Sequence, residues 1–379
     1  MIAPYKEKED CCGCGVCSEF CKRNAIQMIE DEEGFLYPSI NENSCVDCGI
    51  CMKVCGFKCT SKSLYDQTYW ALKSKNTQVR SVSRSGGAFY HLAKNIILMG
   101  GSVYGVILDE DNNVIYARIT KIEDIHFMQG SKYVEAEIQG IYNLVNRDLL
   151  SGKKVLFSGT GCQIAALKSY LTKLGTQIME NLYLVDIVCH GVSTRKIFRD
   201  YIEFLESKYR GTVTKFNFRD KLYGWDSTIE SFFINGKKHY SESYISLFFS
   251  KYGMRPSCAA CRFTNFNRPS DITLSDFWGG SQDVLFNDNK GMSAIILNSE
   301  KGRLLFDSIR GECECIQITK EQCQQPRLSS PSVMPSNRMD FWNVYKTKGF
   351  SAILQKYGRC DIVRKFKFKF VMFLKRMKL

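Results

Sequence analysis

Eight of the cysteines in the first 55 residues fall into two copies of one pattern, Cys11-x2-Cys14-x2-Cys17-x3-Cys21 and Cys45-x2-Cys48-x2-Cys51-x3-Cys55. No other feature restricts the fold and chemistry of the chain as strongly. Soft thiolates at this spacing select an iron–sulfur cube, with three sulfurs of a run on one cluster and the fourth reaching across to the other. One 4Fe-4S cluster is therefore expected on Cys11, Cys14, Cys17 and Cys55. A second is expected on Cys45, Cys48, Cys51 and Cys21. The runs stand 34 residues apart at every ligand, which marks an internal duplication. Gly13, Gly15 and Gly49 lie between ligands and let backbone amides approach the sulfurs. The alternative is a pair of four-cysteine zinc sites, but zinc usually takes separated Cys-x2-Cys knuckles.

The duplicated segment reads as a dicluster bacterial-ferredoxin unit over residues 1–62. Lys22 follows Cys21 where ferredoxins usually carry Pro, which alters the charge near a cluster and removes no ligand. Between the runs, Ala25–Ile29 and Phe35–Ile40 read as a strand pair around Asp31–Gly34. Beyond this unit the pattern predicts a mixed α/β domain, so the chain as a whole is α+β in its first part and α/β after it. A helix is expected from Ser85-Gly86-Gly87 to about Met99, a hairpin over Ser102–Leu108 and Val114–Ile119, and a helix over Ala136–Leu150. The clearest alternation follows: strand Lys154–Ser158, helix Gly161–Leu174, strand Leu182–Val188, helix Thr194–Tyr209. Strands are also expected near Val213–Phe218, Ile229–Ile234 and Asp271–Leu274, and short helices over Met339–Thr347 and Ser351–Tyr357. The divisions expected after the first unit are 63–152, 153–325 and a helical basic tail, 326–379.

Of 379 residues 18 are cysteine. The start, Met1 to Asp10, is polar and has no apolar signal core. Together these predict metal ligation in a reducing cytoplasm rather than disulfides. No apolar run is long enough to span a bilayer. The net charge is +13, yet from Arg359 onward eight Lys/Arg stand against one Asp, a local +7. The charge thus describes the tail, and no nucleic-acid recognition motif accompanies it. As a helix, the tail would align Phe366, Phe370, Phe373, Leu374 and Met377. That is the profile of a peripheral helix on anionic lipid or on an acidic partner, set against a helix docked on its own domain.

Four more cysteines stand where chemistry would want them. Cys162 opens a helix directly after a strand, where free amides favour a thiolate. Cys189 follows the next strand, so the two sulfurs are expected at one sheet edge. Cys258-x2-Cys261 adds a close pair. A metal site, a structural zinc and buried free thiols all remain open from spacing alone. Gly159-x-Gly161-x-x-Ile164 is an incomplete dinucleotide fingerprint, with Asp186 where a ribose-binding acid would sit. A Cys189–His190 nucleophile pair is a further reading, disfavoured because adjacent residues on a strand point opposite ways. Cys313-x-Cys315 alternates in an expected strand, and no role is assigned to Cys313, Cys315 or Cys323.

The runs KVLFSGTGCQIAALKSYL, VDIVCHGVSTRKIFRDYIEFLE and SCAACRFTNFNRPSDITLSDFWGG resemble the beta-subunit family of coenzyme F-420 hydrogenases and dehydrogenases. The upstream run SRSGGAFYHLAKNIILMGGSVYGVIL resembles the family's N-terminal half. The likeness extends from about Tyr65 to Asp307, with Gly161 standing where the family usually has Pro. The resemblance implies an iron–sulfur flavoprotein with bound FAD. It implies a third 4Fe-4S cluster on Cys162, Cys189, Cys258 and Cys261, and a flavin lying against Ser85, Gly86 and Gly87. Free amides at a helix start can cradle a pyrophosphate; a plain helix N-cap is the alternative. Gly130-Ser131-Lys132-Tyr133 matches another family segment, in which Lys132 would favour a reduced flavin; a solvated lysine is the alternative. The resemblance fixes neither the substrate nor the use of coenzyme F-420.

The function expected is an oxidoreductase passing electrons between its clusters and FAD, to or from a redox partner protein or a small-molecule acceptor. An electron-carrier or docking protein without its own flavin chemistry is the second reading, and a pyridine-nucleotide oxidoreductase the third.

Overall fold

A computed structural model describes residues 4–58, 65–221, 224–279 and 288–358. The boundary expected near residue 62, Cys59, Cys360 and the basic tail from residue 359 lie outside the described residues.

The duplication in the sequence is also a duplication in space. Helix α1 (Val16–Glu19) is capped by Gly15 at φ 71°, and α2 (Ile50–Lys53) by Gly49 at φ 67°. Positive φ recurs at Gly13 and at its counterpart Asp47, so both cysteine runs wind through the same left-handed turn. Between them β1 (Ile26–Glu30) and β2 (Leu36–Ile40) pair antiparallel, as the alternation and the Asp31–Gly34 turn predict.

The remainder is built on one mixed sheet of eight strands. These are β3 (Thr68–Ser74), β4 (Ser102–Leu108), β5 (Val114–Ile119), β6 (Val155–Thr160) and β7 (Leu182–Ile187), with three later strands described below. A separate antiparallel sheet holds β8 (Thr214–Asn217), β9 (Glu230–Ile234) and β10 (Lys237–Ser241). The large sheet is completed by β11 (Ile272–Asp276), β12 (Ser293–Leu297) and β13 (Cys313–Ile318), in the order β13-β3-β12-β11-β7-β6-β4-β5. Strands β4, β6, β7 and β11 run parallel at its centre. The segments 63–152 and 153–325 therefore interleave in a single sheet, because β3 lies between β12 and β13.

Helices cover both faces. They include α3 (Thr77–Val82), α4 (Ala88–Leu98), α5 (Ile125–Met128), α6 (Ile141–Leu150), α7 (Gly161–Leu174), α8 (Arg195–Tyr209), α9 (Ser243–Ser250), α10 (Glu300–Asp307), α11 (Lys320–Cys323) and α12 (Arg338–Tyr357). The start of α7 is set by a capping box between Thr160 and Gln163, and its end by Gly175 at φ 72°. On α8 the buried face is Ile197, Phe198, Tyr201, Ile202 and Leu205, a helical stripe packed on the small sheet. Gly349 leaves the helical region inside α12 and divides it where the sequence predicts two helices.

One local expectation changes, and two further elements appear that the pattern did not name. The helix expected from Ala136 begins at Ile141, because Gly140 adopts φ 80° at its N-cap. Glu137 is extended instead, bridging Ile115 and accepting from Tyr116 N at 2.8 Å. The polar stretch after β3 contains α3, started by Asn76, whose side chain accepts from Gln78 N and Val79 N. Strand β10 follows Asn235-Gly236, both at positive φ, a hairpin signal present in the sequence.

Candidate functional site

The cysteines expected for the first cluster gather at the interface between the duplicated unit and the large sheet. Burial pushes the Cys11 thiol up to about 11, with Cys14 and Cys55 adding to it and Arg255 opposing. Cys17 is raised well above its ordinary range by burial, then by Cys14, Cys11 and Cys55. The four sulfurs therefore share one low-dielectric space. In the second set, burial raises Cys51, and Cys48 and Cys45 add to it. Asp47 N donates to Cys45 Sγ at 3.4 Å. Cys21 stands two residues beyond α1, which packs on α2, the helix carrying Cys51.

The four later cysteines also come together, from three separate places in the chain. Strands β6 and β7 are adjacent and parallel, so Cys162, at the start of α7, and Cys189, just past β7, meet at their C-terminal edge. The Pro256–Cys258 turn brings in Cys258 and Cys261. Burial, then Cys162, pushes Cys189 up to about 12, and the same causes push Cys261 up to about 11. Cys258 is raised well above its ordinary range by burial, then by Cys189, Cys162 and Cys261. Cys162 is instead held below the ordinary thiol range. The first cause is a hydrogen bond with Cys12, opposed by burial, and Thr160 Oγ1 stands 3.1 Å from its sulfur.

Cys12 has no place in the ligand spacing, and the sequence pattern assigns it no role. It hydrogen-bonds both Cys14 and Cys162, which hold it protonated. It thus joins the first cysteine set to the third. Cys12, Cys55, Cys162 and Cys261 pack around Phe57, Ala165 and Phe263. Among the described residues no three of His, Cys, Asp or Glu close on one point as ligands of a single ion do. A cube takes one thiolate on each iron, so its sulfurs stand apart around a volume. An all-thiolate donor set around an enclosed space fits that group.

Against the third cysteine set lies a cavity of about 770 Å³. Cys189 belongs to its wall, together with Ser158, Gly159, Thr160 and Gln163 from the β6–α7 turn. Ser85 and Gly87 line it as well, with Ala88 and Phe89 of the first turn of α4. No side chain caps α4, whose N-cap Gly87 has φ 94°, leaving first-turn amides for an anionic group. Gly86 is not part of the lining. A Cβ there would meet Leu72 O at 2.0 Å, so this glycine serves close packing on β3.

Lys132 lines the same cavity and donates to Phe127 O at 2.9 Å and Gln129 O at 3.0 Å. Loss of water pulls its ammonium down to about 7. Arg84 and Arg219 add positive charge to the wall, with Arg84 Nη2 3.3 Å from Asp276 Oδ2. The cavity therefore combines an open helix start, cations and aromatic walls such as Tyr133, Phe248 and Trp278. That mixture suits a large planar anion.

Two rival readings of the sequence lose their residues. Asp186 is fully buried, its carboxylate 2.5 Å from Arg268 Nη2 and 2.8 Å from Ser270 Oγ. It holds the fold and is not free to bind a ribose. Cys189 Sγ accepts from Gly191 N at 3.3 Å and has a raised thiol, the opposite of a nucleophile activated by His190.

Residues 152–321 match the family model that describes the C terminus of the beta subunit in coenzyme F420 hydrogenase/dehydrogenase. This segment of the chain is thus similar to the C-terminal part of the beta subunit in a family of oxidoreductases. The match spans all four cysteines of the third set. Among solved structures, a chain of the F420-reducing NiFe hydrogenase complex from Methanosarcina barkeri is similar with a TM-score of 0.49 at 14% identity, covering 77% of this chain and 91% of that one. No curated protein matches the chain. Among the described residues no helix is long and apolar enough to cross a membrane.

Proposed function

We propose that the chain is an iron–sulfur flavoprotein oxidoreductase that carries electrons between a redox partner protein and a two-electron acceptor held in the cavity. Three 4Fe-4S clusters on the named cysteines and one FAD against α4 complete it. When bound, the clusters would relay single electrons and the flavin would join them into a two-electron transfer. The observation that carries this reading is the position of Cys189. It belongs both to the third sulfur set and to the cavity wall, so no protein layer separates the two.

The residues have separable tasks in this reading. The second sulfur set lies in the outer repeat, and Cys48 is exposed, which suits electron exchange with a partner. Cys12 spans the first and third sets. The α4 start would hold the FAD diphosphate, and Lys132 would favour the anionic reduced ring. Arg84 and Arg219 would hold an acidic acceptor.

The test is the iron, acid-labile sulfide and flavin content of anaerobically purified protein. About twelve irons and one FAD per chain are expected. About eight irons with a zinc would replace the third cube. A full iron content without flavin, even after FAD addition, would return the carrier or docking reading.

A further inference from the structure

Arg255 is the largest fully buried side chain among the described residues, and its surroundings are those of a charge placed on purpose. It precedes Cys258 by three positions and crosses from the third cysteine set to the first. Its Nε donates to Cys11 O at 2.9 Å, and Nη2 donates to Leu36 O at 2.8 Å while standing 3.9 Å from Cys11 Sγ. Its Nη1 meets Glu135 Oε1 at 2.5 Å. The guanidinium lies over the rings of Tyr37, at 4.3 Å, and Phe35, at 5.3 Å. Gly13 is shaped around this pair: a Cβ there would lie 2.5 Å from Glu135 Oε1 and 2.6 Å from Arg255 Nη1.

We propose that Arg255 is a positioning residue that raises the reduction potential of the centre held by Cys11, Cys14, Cys17 and Cys55, with Glu135 setting how far. This rests on the assignment of a cluster to those cysteines. The reduced centre carries one more negative charge than the oxidised one. A permanent cation beside one of its sulfurs, in a space without water, stabilises that extra charge with little screening. Arginine suits the task because it keeps its proton when buried and its fork binds two carbonyls and a carboxylate at once. Glu135 meets the guanidinium on its far corner and receives Leu36 N at 3.5 Å. It opposes the cation's field at Cys11 from Nη1, while Nη2 is the nitrogen that faces the sulfur.

The experiment is a spectroscopic redox titration of the full chain, anaerobically purified, as wild type, Arg255→Gln, Arg255→Lys and Glu135→Gln. Arg255→Gln is expected to weaken reduction of one centre at least tenfold, about 59 mV for one electron. Glu135→Gln is expected to shift the same centre the opposite way. Arg255→Lys, which keeps the charge and loses the fork, is expected to stay closer to wild type than Arg255→Gln. A purely structural role would move both neutral variants in the same direction or neither. Either result, in protein with wild-type iron and sulfide, overturns the proposal. If Arg255→Gln does not accumulate, the opposite-sign shift in Glu135→Gln and the smaller shift in Arg255→Lys decide it. Wild-type protein that takes up no iron after anaerobic reconstitution would sink the cluster assignment itself.

Discussion

Gly56 rests on the backbone of Ala165: a methyl added to the glycine would lie 2.3 Å from that carbonyl oxygen. Ala165 belongs to α7, the helix that opens at Cys162. The end of the second cysteine run and the start of the third cysteine set are therefore in backbone contact. That distance leaves no room for a side chain at this seam.

Gly56→Ala should consequently separate the two parts or strain them. Overpacking of this kind typically costs about 1–3 kcal/mol, occasionally more. The check is the denaturant midpoint of the anaerobic protein. Gly311→Ala is the control, since nothing lies within 4 Å of that position and its φ is ordinary; its midpoint should match wild type.

Iron content should separate ligands from neighbours. Cys162→Ser and Cys48→Ser should each lose about four irons per chain, one cube apiece. Cys12→Ser should keep the full count, because Cys12 bridges Cys14 and Cys162 and lies outside the ligand spacing. Loss of a cube in Cys12→Ser would make it a ligand and displace one of the assigned sulfurs.

Local patterns in the sequence are enough for most elements. The 34-residue repeat carries φ-positive turns and helices from Cys11 to Cys55, and the β6–α7–β7 alternation alone puts Cys162 beside Cys189. What is not legible depends on contacts far apart in the chain. The insertion of β3 between β12 and β13 joins segments more than 200 residues distant, and no local period encodes that order. Cys12 looks surplus by spacing, because its partner Cys162 is set by docking. Gly86 and Gly87 look alike in sequence, yet one is pressed on Leu72 and the other opens onto the cavity.

Lys132 gives a pH signature with a definite sign. An unfolded chain keeps a lysine proton to about 10.4, whereas the fold holds it only below about 7. Between those values the unfolded state binds more protons, so stability rises with pH. Below about 7 the cost of charging Lys132 is fully present. Lys132→Met removes it. The thermal midpoint of Lys132→Met minus that of wild type should therefore be largest near pH 6 and shrink steadily toward pH 9.5. A difference independent of pH would mean that Lys132 does not titrate in this window.

A second buried ion pair closes the other side of the seam. Arg338, on α12, donates through Nη1 to Glu33 Oε1 at 2.6 Å and through Nη2 to Glu33 Oε2, and it also reaches Met254 O at 3.3 Å. Glu33 sits in the turn between β1 and β2, so this pair ties the cysteine-rich unit to the last helix of the body. Both side chains are about nine-tenths buried, so removing one leaves an unpaired charge away from water. Arg338→Met should cost about 3–5 kcal/mol of unfolding free energy. Arg338→Met with Glu33→Leu should recover part of that loss, because no charge is then stranded, and the coupling between the two changes measures the pair itself. Denaturant titration of the two single variants and the double variant reads this directly. Purely additive losses would mean that the two side chains act independently and that the clamp lies elsewhere along the seam.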